Sequence, residues 1–215
     1  MLILLLAALA CAVNAVPLVT KPAPAFSGEA ADGSAFSSVN FPKDYAGRWL
    51  VLLFYPLDFT FVCPTELIAF SDRADDFAER NAAVLGVSVD SVYTHRAWLD
   101  TPRSQGGVGK LNFPLLSDLT REISRNYGVL LDEGFATRGV FVIDDKGVLR
   151  SMTVNAPSVG RNVDEVLRLI DAFQHTDESG TVCPANWSKG DDTILPDVEG
   201  KRAFFAKTYA DKQEL

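Results

Sequence analysis

The sequence predicts an α/β fold in which helices flank a central mixed β-sheet. Two continuous apolar runs, Trp49–Tyr55 and Ala82–Val89, are typical of strands buried on both faces. A segment with helical spacing follows each run, as expected where strands and helices alternate along the chain. Further on, the apolar segments Gly139–Asp144 and Val148–Val154 flank Asp145-Lys146-Gly147, which predicts a hairpin.

The first half of the chain contains two predicted helices. Residues 17–48 are rich in Pro, Gly and Ser and predict loops and short strands. Pro64 suits a first helical position, because the N–H group it lacks would be unpaired there. Apolar residues at 3- and 4-residue steps then predict one amphipathic helix over Leu67–Arg80. A helix containing His95 and Trp98 follows the second apolar strand.

The second half predicts smaller elements around the hairpin, followed by a polar arm. Outside the hairpin we expect a short strand (Phe113–Leu116), a short helix (Arg121–Tyr127), a longer helix (Val163–Phe173) and a tail helix (Arg202–Tyr209). Beyond Gln174 the chain is polar and irregular up to the tail helix. The predicted organisation is therefore a domain over residues 17–175 and a C-terminal arm over residues 176–215.

Length and charge narrow the class of protein. The chain has 215 residues, enough for one domain with a substantial core and an extension. Its formal net charge is −8, and it contains no run of Lys and Arg that could neutralise phosphates. Nucleic acid and an anionic membrane surface are therefore disfavoured as partners.

The first fifteen residues predict a cleaved secretory signal. Met1–Ala10 is an uninterrupted apolar run, and small residues allow cleavage after Ala12 or after Ala15. An uncleaved anchor is the alternative. Asn14 and Pro17, however, end the apolar stretch short of the roughly 20 residues that a membrane span needs.

The C-terminus points to the same compartment. Lys212–Leu215 resembles the Lys-Asp-Glu-Leu retrieval signal of the endoplasmic reticulum, with Gln in place of Asp. We therefore expect the endoplasmic-reticulum lumen, or secretion. Signal cleavage would remove Cys11 and leave Cys63 and Cys183, two cysteines that could pair in an oxidising compartment.

Cys63 is the candidate reactive residue. It lies after an apolar strand and at the start of a predicted helix, where unpaired N–H groups and the helix dipole favour a thiolate. Thr60 can supply a hydroxyl group, and Pro56 limits backbone freedom and shields the sulfur. Arg138, at the entry of the first hairpin strand, is the best candidate for a nearby cation.

Two unreactive interpretations are the alternatives. Cys63 could be a buried packing residue, as free cysteines often are, and Cys183 could belong to a structural bridge. One thiol that attacks and a distant one that resolves is, however, the arrangement of a peroxide-reducing enzyme. We expect the side chains of His95 and His175 to be structural or solvated and not catalytic. The Cys and His residues are scattered along the chain and lack the spacing typical of metal ligands. No cofactor is expected.

Several separated motifs carry a resemblance to a known family. From about Val19 to the C-terminus the chain resembles typical two-cysteine peroxiredoxins, the thioredoxin-dependent type of peroxidase. The matching segments are Phe59–Glu66, His95–Trp98, Thr101–Arg103, Arg138–Asp144, Val159–Arg161 and Val182–Trp187. The resemblance implies a thioredoxin-like fold for residues 17–175.

The same resemblance implies a role for each site residue. Cys63 corresponds to the peroxidatic cysteine and Cys183 to the resolving cysteine, paired as an intersubunit disulfide, Cys63–Cys183. Pro56, Thr60 and Arg138 match the residues that bind peroxide. A supporting ion pair that orients Arg138 is expected from Glu66 and Arg150. A homodimer that assembles into a decamer is also implied.

The implied activity is reduction of hydrogen peroxide and organic hydroperoxides, in redox homeostasis and antioxidant defence. The sulfenic acid formed on Cys63 would condense with Cys183, and an external dithiol protein would reduce the disulfide. In the endoplasmic reticulum a protein-disulfide-isomerase-type reductant is more plausible than thioredoxin. Two rival functions are a holdase chaperone and a disulfide oxidoreductase. The second is disfavoured because the chain has no Cys-x-x-Cys motif.

Overall fold

The computed structural model describes residues 16–33 and 35–210. The predicted signal peptide and the Lys212–Leu215 motif lie outside these residues, as does Cys11. The predictions about targeting therefore remain predictions.

A single seven-stranded sheet forms the centre of the fold. Its strands are β1 (Phe26–Asp32), β2 (Ala35–Phe41), β3 (Trp49–Phe54), β4 (Ala82–Ser88), β5 (Leu115–Ser117), β6 (Arg138–Ile143) and β7 (Leu149–Asn155). They lie in the order β2-β1-β5-β4-β3-β6-β7. The pairs β3/β4 and β4/β5 are parallel and the remaining pairs are antiparallel. The predicted mixed sheet and its hairpin are thus confirmed.

Helices accompany the sheet in the predicted order. They are α1 (Cys63–Asp72), α2 (Ala74–Glu79), α3 (Val92–Asp100), α4 (Glu122–Asn126), α5 (Val163–Ser179) and α6 (Val198–Tyr209). Among the helices of the described residues, none has both the length and the apolar character that a membrane span requires.

Three helices differ clearly from their predicted bounds, and one of them is the tail helix, which begins at Val198 and not at Arg202. The single helix expected over Leu67–Arg80 is broken at Arg73, whose φ of −108° and ψ of 18° leave the helical region. The apolar spacing continues through the break, so periodicity alone could not reveal it. α5 continues beyond Phe173 and ends where Gly180 takes a left-handed conformation with a φ of 68°.

The strand β3 separates two apolar layers. Side chains alternate along it, so Trp49, Val51 and Leu53 face one layer while Leu50 and Leu52 face the other. The first layer also contains buried residues of α1, α2, α3 and α5, and the second contains residues of β1, β6 and α4. A central strand buried on both faces explains why its sequence is continuously apolar.

The pairing of β3 with β6 determines where the site lies. These strands are antiparallel, and Leu53 pairs with Val140. The end of β3 and the start of β6 therefore lie at the same edge of the sheet. The chain leaving β3 leads to Cys63, and β6 begins at Arg138, so the two residues meet there although 75 positions separate them.

Candidate active site

Cys63 is the first residue of α1, and its side chain is fully buried. Pro64 follows it, as predicted for the first helical positions. No side chain caps the N-terminus of α1. The sulfur therefore lies at the positive end of the helix dipole, which favours a negative charge there.

The structure brings Arg138 to Cys63. Arg138 Nη1 lies 3.3 Å from Cys63 Sγ, and its Nε donates to the carbonyl oxygen of Pro157 over 2.7 Å. The Arg138 side chain is almost completely buried, so water screens its charge poorly. A guanidinium within hydrogen-bond distance of a sulfur stabilises the thiolate.

Glu66 links two arginines at this site. Its Oε2 forms an ion pair with Arg138 Nη1, and its Oε1 accepts from Arg161 Nε over 2.7 Å. The backbone N–H of Arg161 donates to the same Oε1 over 2.8 Å. Two buried cations thus share one carboxylate, and a negative charge on the Cys63 sulfur would make the charges of the cluster sum to zero. Neutrality matters here because an unpaired buried charge is costly.

Arg161 is held from several directions. Its Nη1 donates to the carbonyl oxygens of Gly139, over 2.8 Å, and of Phe54. Its Nη2 is buried and has no hydrogen-bond partner among the described residues. Burial lowers the pKa of Arg161, and the Glu66 carboxylate opposes that shift. Arg161 therefore keeps one donor free inside the site.

The expected ion pair between Glu66 and Arg150 is wrong. Arg150 donates to Asp177 over 2.7 and 2.9 Å, and its guanidinium lies 4.9 Å from the ring centre of Phe173. The register of the hairpin explains this. Arg138 pairs with Asn155, so Arg150 lies near the opposite end of β7, roughly 15 Å along the strand.

Arg161 takes the place that was expected for Arg150. The segment Val159–Arg161 is one of the motifs that carry the resemblance, but the sequence indicates no role for this arginine. The spacing of residues in the sequence does not indicate that Arg161 bonds Glu66, which lies 95 positions earlier in the chain.

Thr60 and Pro56 lie on the loop between β3 and α1. Thr60 Oγ1 donates its proton to the carbonyl oxygen of Leu57 over 2.8 Å, and Pro56 is buried. In the described part of the chain, no hydrogen bond links Thr60 to Cys63. The threonine oxygen keeps its lone pairs free to accept a hydrogen bond.

A buried polar cluster that residue spacing does not predict anchors this loop. Asp58 Oδ2 lies 2.7 Å from His95 Nδ1, and the Tyr55 hydroxyl donates to Asp58 Oδ1 over 2.8 Å. Burial raises the pKa of the Asp58 carboxyl, and His95 opposes that shift. The backbone N–H of Asp58 also donates to Asp90. His95 is thus structural, as one of the two predicted alternatives stated, and it is not solvated.

Cys183 does not belong to the cluster around Cys63; it follows the end of α5 in the chain. It is partly buried, and its thiol donates to the carbonyl oxygen of Ala172 over 3.8 Å. Within this chain Cys63 and Cys183 are both free thiols. Burial raises the pKa of the Cys183 thiol, and the charge of Arg168 opposes that shift. In the described part of the chain, no three His, Cys, Asp or Glu side chains come together as a metal site.

Comparison with protein families gives two matches along the chain. Residues 19–152 match the AhpC/TSA family, and residues 172–207 match the C-terminal domain of 1-Cys peroxiredoxin. The first match covers the sheet as far as Met152 on β7 and includes Cys63, Glu66 and Arg138, while Arg161 lies beyond its end. The second match covers the segment that carries Cys183.

Individual proteins and structures are similar over most of the chain. Peroxiredoxin-2 of Rattus norvegicus is 59% identical over 190 residues, which are 88% of this chain and 96% of that protein. Peroxiredoxin-4 of Homo sapiens is 55% identical over 88% of this chain and 70% of its own length. The structure of reduced 2-Cys peroxiredoxin from Plasmodium vivax superposes with a TM-score of 0.85 at 47% identity, covering 87% of this chain and 98% of that one.

Proposed function

The chain belongs to the AhpC/TSA family of peroxiredoxins, and we propose that Cys63 is its peroxidatic cysteine and Cys183 its resolving cysteine. The protein is a thiol peroxidase with a thioredoxin-like fold. One observation supports the assignment of Cys63 above the others. Its sulfur lies 3.3 Å from a buried guanidinium, inside a cluster that a thiolate makes neutral.

In the peroxide step the Cys63 thiolate attacks one oxygen of the peroxide. An S–O bond forms as the O–O bond breaks, so the cysteine is oxidised to sulfenic acid and the peroxide is reduced. The leaving oxygen takes up a proton and departs as water, or as an alcohol from an organic hydroperoxide. Negative charge develops on that oxygen, and preorganised donors that meet it lower the barrier.

The residues around Cys63 supply complementary groups for this step. Arg138 Nη1 and the free Nη2 of Arg161 are donors for the developing negative charge. Thr60 already donates its proton to Leu57, so its oxygen is placed to accept a hydrogen bond from the peroxide O–H. Buried Pro56 shields the sulfur from bulk water.

In the resolving step Cys183 of a second copy of the chain attacks the sulfenic sulfur of Cys63. The S–S bond forms, the sulfenic hydroxyl leaves, and together with the thiol proton it gives water. Cys63 is fully buried at the start of α1, so the first turn of α1 has to unwind before the two sulfurs meet. An external dithiol protein then reduces the disulfide by thiol exchange.

Homodimers and decamers are the proposed assemblies. The edge strand β7 supports the dimer. Thr20 and Lys21 bond the backbone of Leu149 at its start, but no strand of the described residues pairs with its outer edge, and Met152 and Val154 on it are exposed. An unpaired edge with exposed apolar side chains is a ready surface for a second copy.

The endoplasmic-reticulum lumen is the proposed compartment, with a protein-disulfide-isomerase-type protein as the reductant. The apolar start of the sequence and its Lys-Gln-Glu-Leu end support this. Deleting Lys212–Leu215 should move the expressed protein into the culture medium, and unchanged retention would refute the retrieval signal.

The proposed function is tested by non-reducing electrophoresis before and after one equivalent of hydrogen peroxide. The wild type should shift to a covalent dimer, while Cys63→Ser and Cys183→Ser should not. An equimolar mixture of the two variants should form a dimer held by a single disulfide. A dimer that persists in either variant alone would contradict the pairing of Cys63 with Cys183.

A further inference from the structure

The segment that carries Cys183 is folded onto α5 of its own chain. We call residues 181–191 the resolving arm. Trp187 of this arm is 2% exposed, and its ring centre lies 5.2 Å from that of His175 on α5. Thr181 Oγ1 lies 3.4 Å from His175 Nε2. The arm is therefore an ordered part of the domain surface, although its sequence is polar.

Arg168 on α5 connects the arm to the helix. Its Nη1 donates to the backbone carbonyl oxygen of Trp187 over 2.8 Å. Its Nε and Nη2 bind the two carboxylate oxygens of Glu165 over 2.6 and 2.8 Å. The planar guanidinium therefore uses all three nitrogens, two on a carboxylate and one on the arm.

Arg168 also shares a helix face with the group that holds the Cys183 sulfur. The Cys183 thiol donates to the carbonyl oxygen of Ala172 over 3.8 Å, and Ala172 lies four residues after Arg168. Residues four apart lie above one another on an α-helix. The positive charge of Arg168 consequently acts on Cys183, against the effect of burial.

We propose that Arg168 is a positioning residue for the resolving half of the reaction: it ties the arm to α5 and, from the helix face that also carries Ala172, favours the Cys183 thiolate. The proposal rests on the resolving role proposed for Cys183. It assigns no contact between Arg168 and the peroxide.

The charge of Arg168 bears on the step in which the disulfide forms. A thiolate, and not a thiol, attacks the sulfenic sulfur of Cys63. As the S–S bond forms, hydroxide leaves and combines with the proton that Cys183 has lost, giving water. A nearby guanidinium raises the fraction of Cys183 that is ready to attack at neutral pH. Glu165 reduces this effect, because its carboxylate faces the same guanidinium.

The test is the pH profile of alkylation of Cys183 in the reduced full chain, without peroxide. Iodoacetamide is the probe, and mass spectrometry of the Cys183 peptide gives the rate at each pH. The midpoint of the profile reports the charge around the sulfur, while the plateau at high pH reports its accessibility. A merely structural tether would change the plateau and leave the midpoint in place.

Three variants distinguish an effect of the Arg168 charge from a merely structural tether. Arg168→Gln should move the midpoint to higher pH and slow alkylation at pH 7.5 by about threefold, the size expected of a partly exposed charge. Arg168→Lys should restore most of the wild-type midpoint, and Glu165→Gln should move it to lower pH. The charged and titratable groups on or facing the arm are Arg168, Glu165, His175, Asp171, Lys189 and Asp191. His175→Gln and Lys189→Gln are therefore the controls, and neither should shift the midpoint as Arg168→Gln does.

A second readout is the rate of disulfide formation after one equivalent of hydrogen peroxide. Arg168→Gln should slow this step near pH 7 and leave the preceding loss of the Cys63 thiol unchanged. An Arg168→Gln midpoint equal to that of the wild type would overturn the proposal. If the wild type itself forms no disulfide between Cys63 and Cys183, the proposed function fails, whatever the alkylation profiles show.

Discussion

Arg138 Nη1 lies 3.3 Å from Cys63 Sγ and also forms an ion pair with Glu66 Oε2. One nitrogen of the Arg138 guanidinium thus faces both the reacting sulfur and the Glu66 carboxylate, and this carboxylate holds the guanidinium in place. Arg161 holds the other oxygen of the same carboxylate. The sulfur, Glu66 and the two arginines consequently form one electrostatic unit.

Replacing Arg138 should impair the peroxide step. Arg138→Gln should lower the second-order rate constant for hydrogen peroxide by about 10²–10³, the usual cost of losing one preorganised donor. Stopped-flow competition with a peroxidase of known rate measures this constant. Arg150→Gln is the matched control, because Arg150 bonds Asp177 and lies outside the site. A loss of the same size in Arg150→Gln would contradict the geometry.

Removing the charge of Glu66 should destabilise the fold. Glu66→Gln leaves two buried arginines without their shared carboxylate, and breaking a buried pair costs about 3–5 kcal/mol. Urea unfolding of the reduced protein measures the change in the free energy of unfolding. Glu165→Gln breaks an exposed ion pair on α5 and should cost less than about 1 kcal/mol. Equal losses in the two variants would show that the cluster is not electrostatically coupled.

The Tyr55 hydroxyl should contribute to stability through Asp58. Tyr55→Phe removes the donor to a buried carboxylate oxygen and should lower the free energy of unfolding by about 1–3 kcal/mol. Tyr93 is 74% exposed, so Tyr93→Phe should change it by less than about 0.5 kcal/mol. Thermal and urea unfolding both report the difference. A neutral Tyr55→Phe would mean that the cluster does not anchor the loop.

The resolving step should accelerate as the pH rises. Burial raises the pKa of Cys183 above its ordinary value, so at neutral pH most of this cysteine is a protonated thiol. Below the pKa, each unit of pH should increase the thiolate fraction, and with it the rate of disulfide formation, by roughly tenfold. Rapid quenching with acid after one equivalent of peroxide, between pH 6 and 8, measures this rate. A flat profile over that range would indicate that another step limits disulfide formation.

Local sequence patterns were sufficient to predict most of the sheet. β3 and β4 were predicted from continuous apolar runs, because each is buried on both faces. The hairpin of β6 and β7 was predicted from its turn residues. Arg138 is also the cation that the sequence favours near Cys63, because it stands at the entry of the first hairpin strand. The pairing of β3 with β6, which brings the two residues together, is not predicted from the sequence.

The features that were missed depend on contacts between distant parts of the chain. Arg161 reaches Glu66 across 95 positions, and Asp58 reaches His95 across 37. Neither pair follows a periodic pattern, so residue spacing carries no signal for them. The wrong pairing of Glu66 with Arg150 came from the resemblance to the family, and the sequence position of Arg150 does not reveal the register of β7 that places it elsewhere.

As the peroxidatic cysteine, Cys63 should be oxidised by peroxide before any other thiol. The direct measurement uses Cys183→Ser, one equivalent of hydrogen peroxide, and dimedone, which traps sulfenic acids. Mass spectrometry of the digested protein should find the dimedone adduct on the peptide that contains Cys63, in nearly stoichiometric amount. An intact Cys63 thiol after the peroxide has been consumed would contradict the claim.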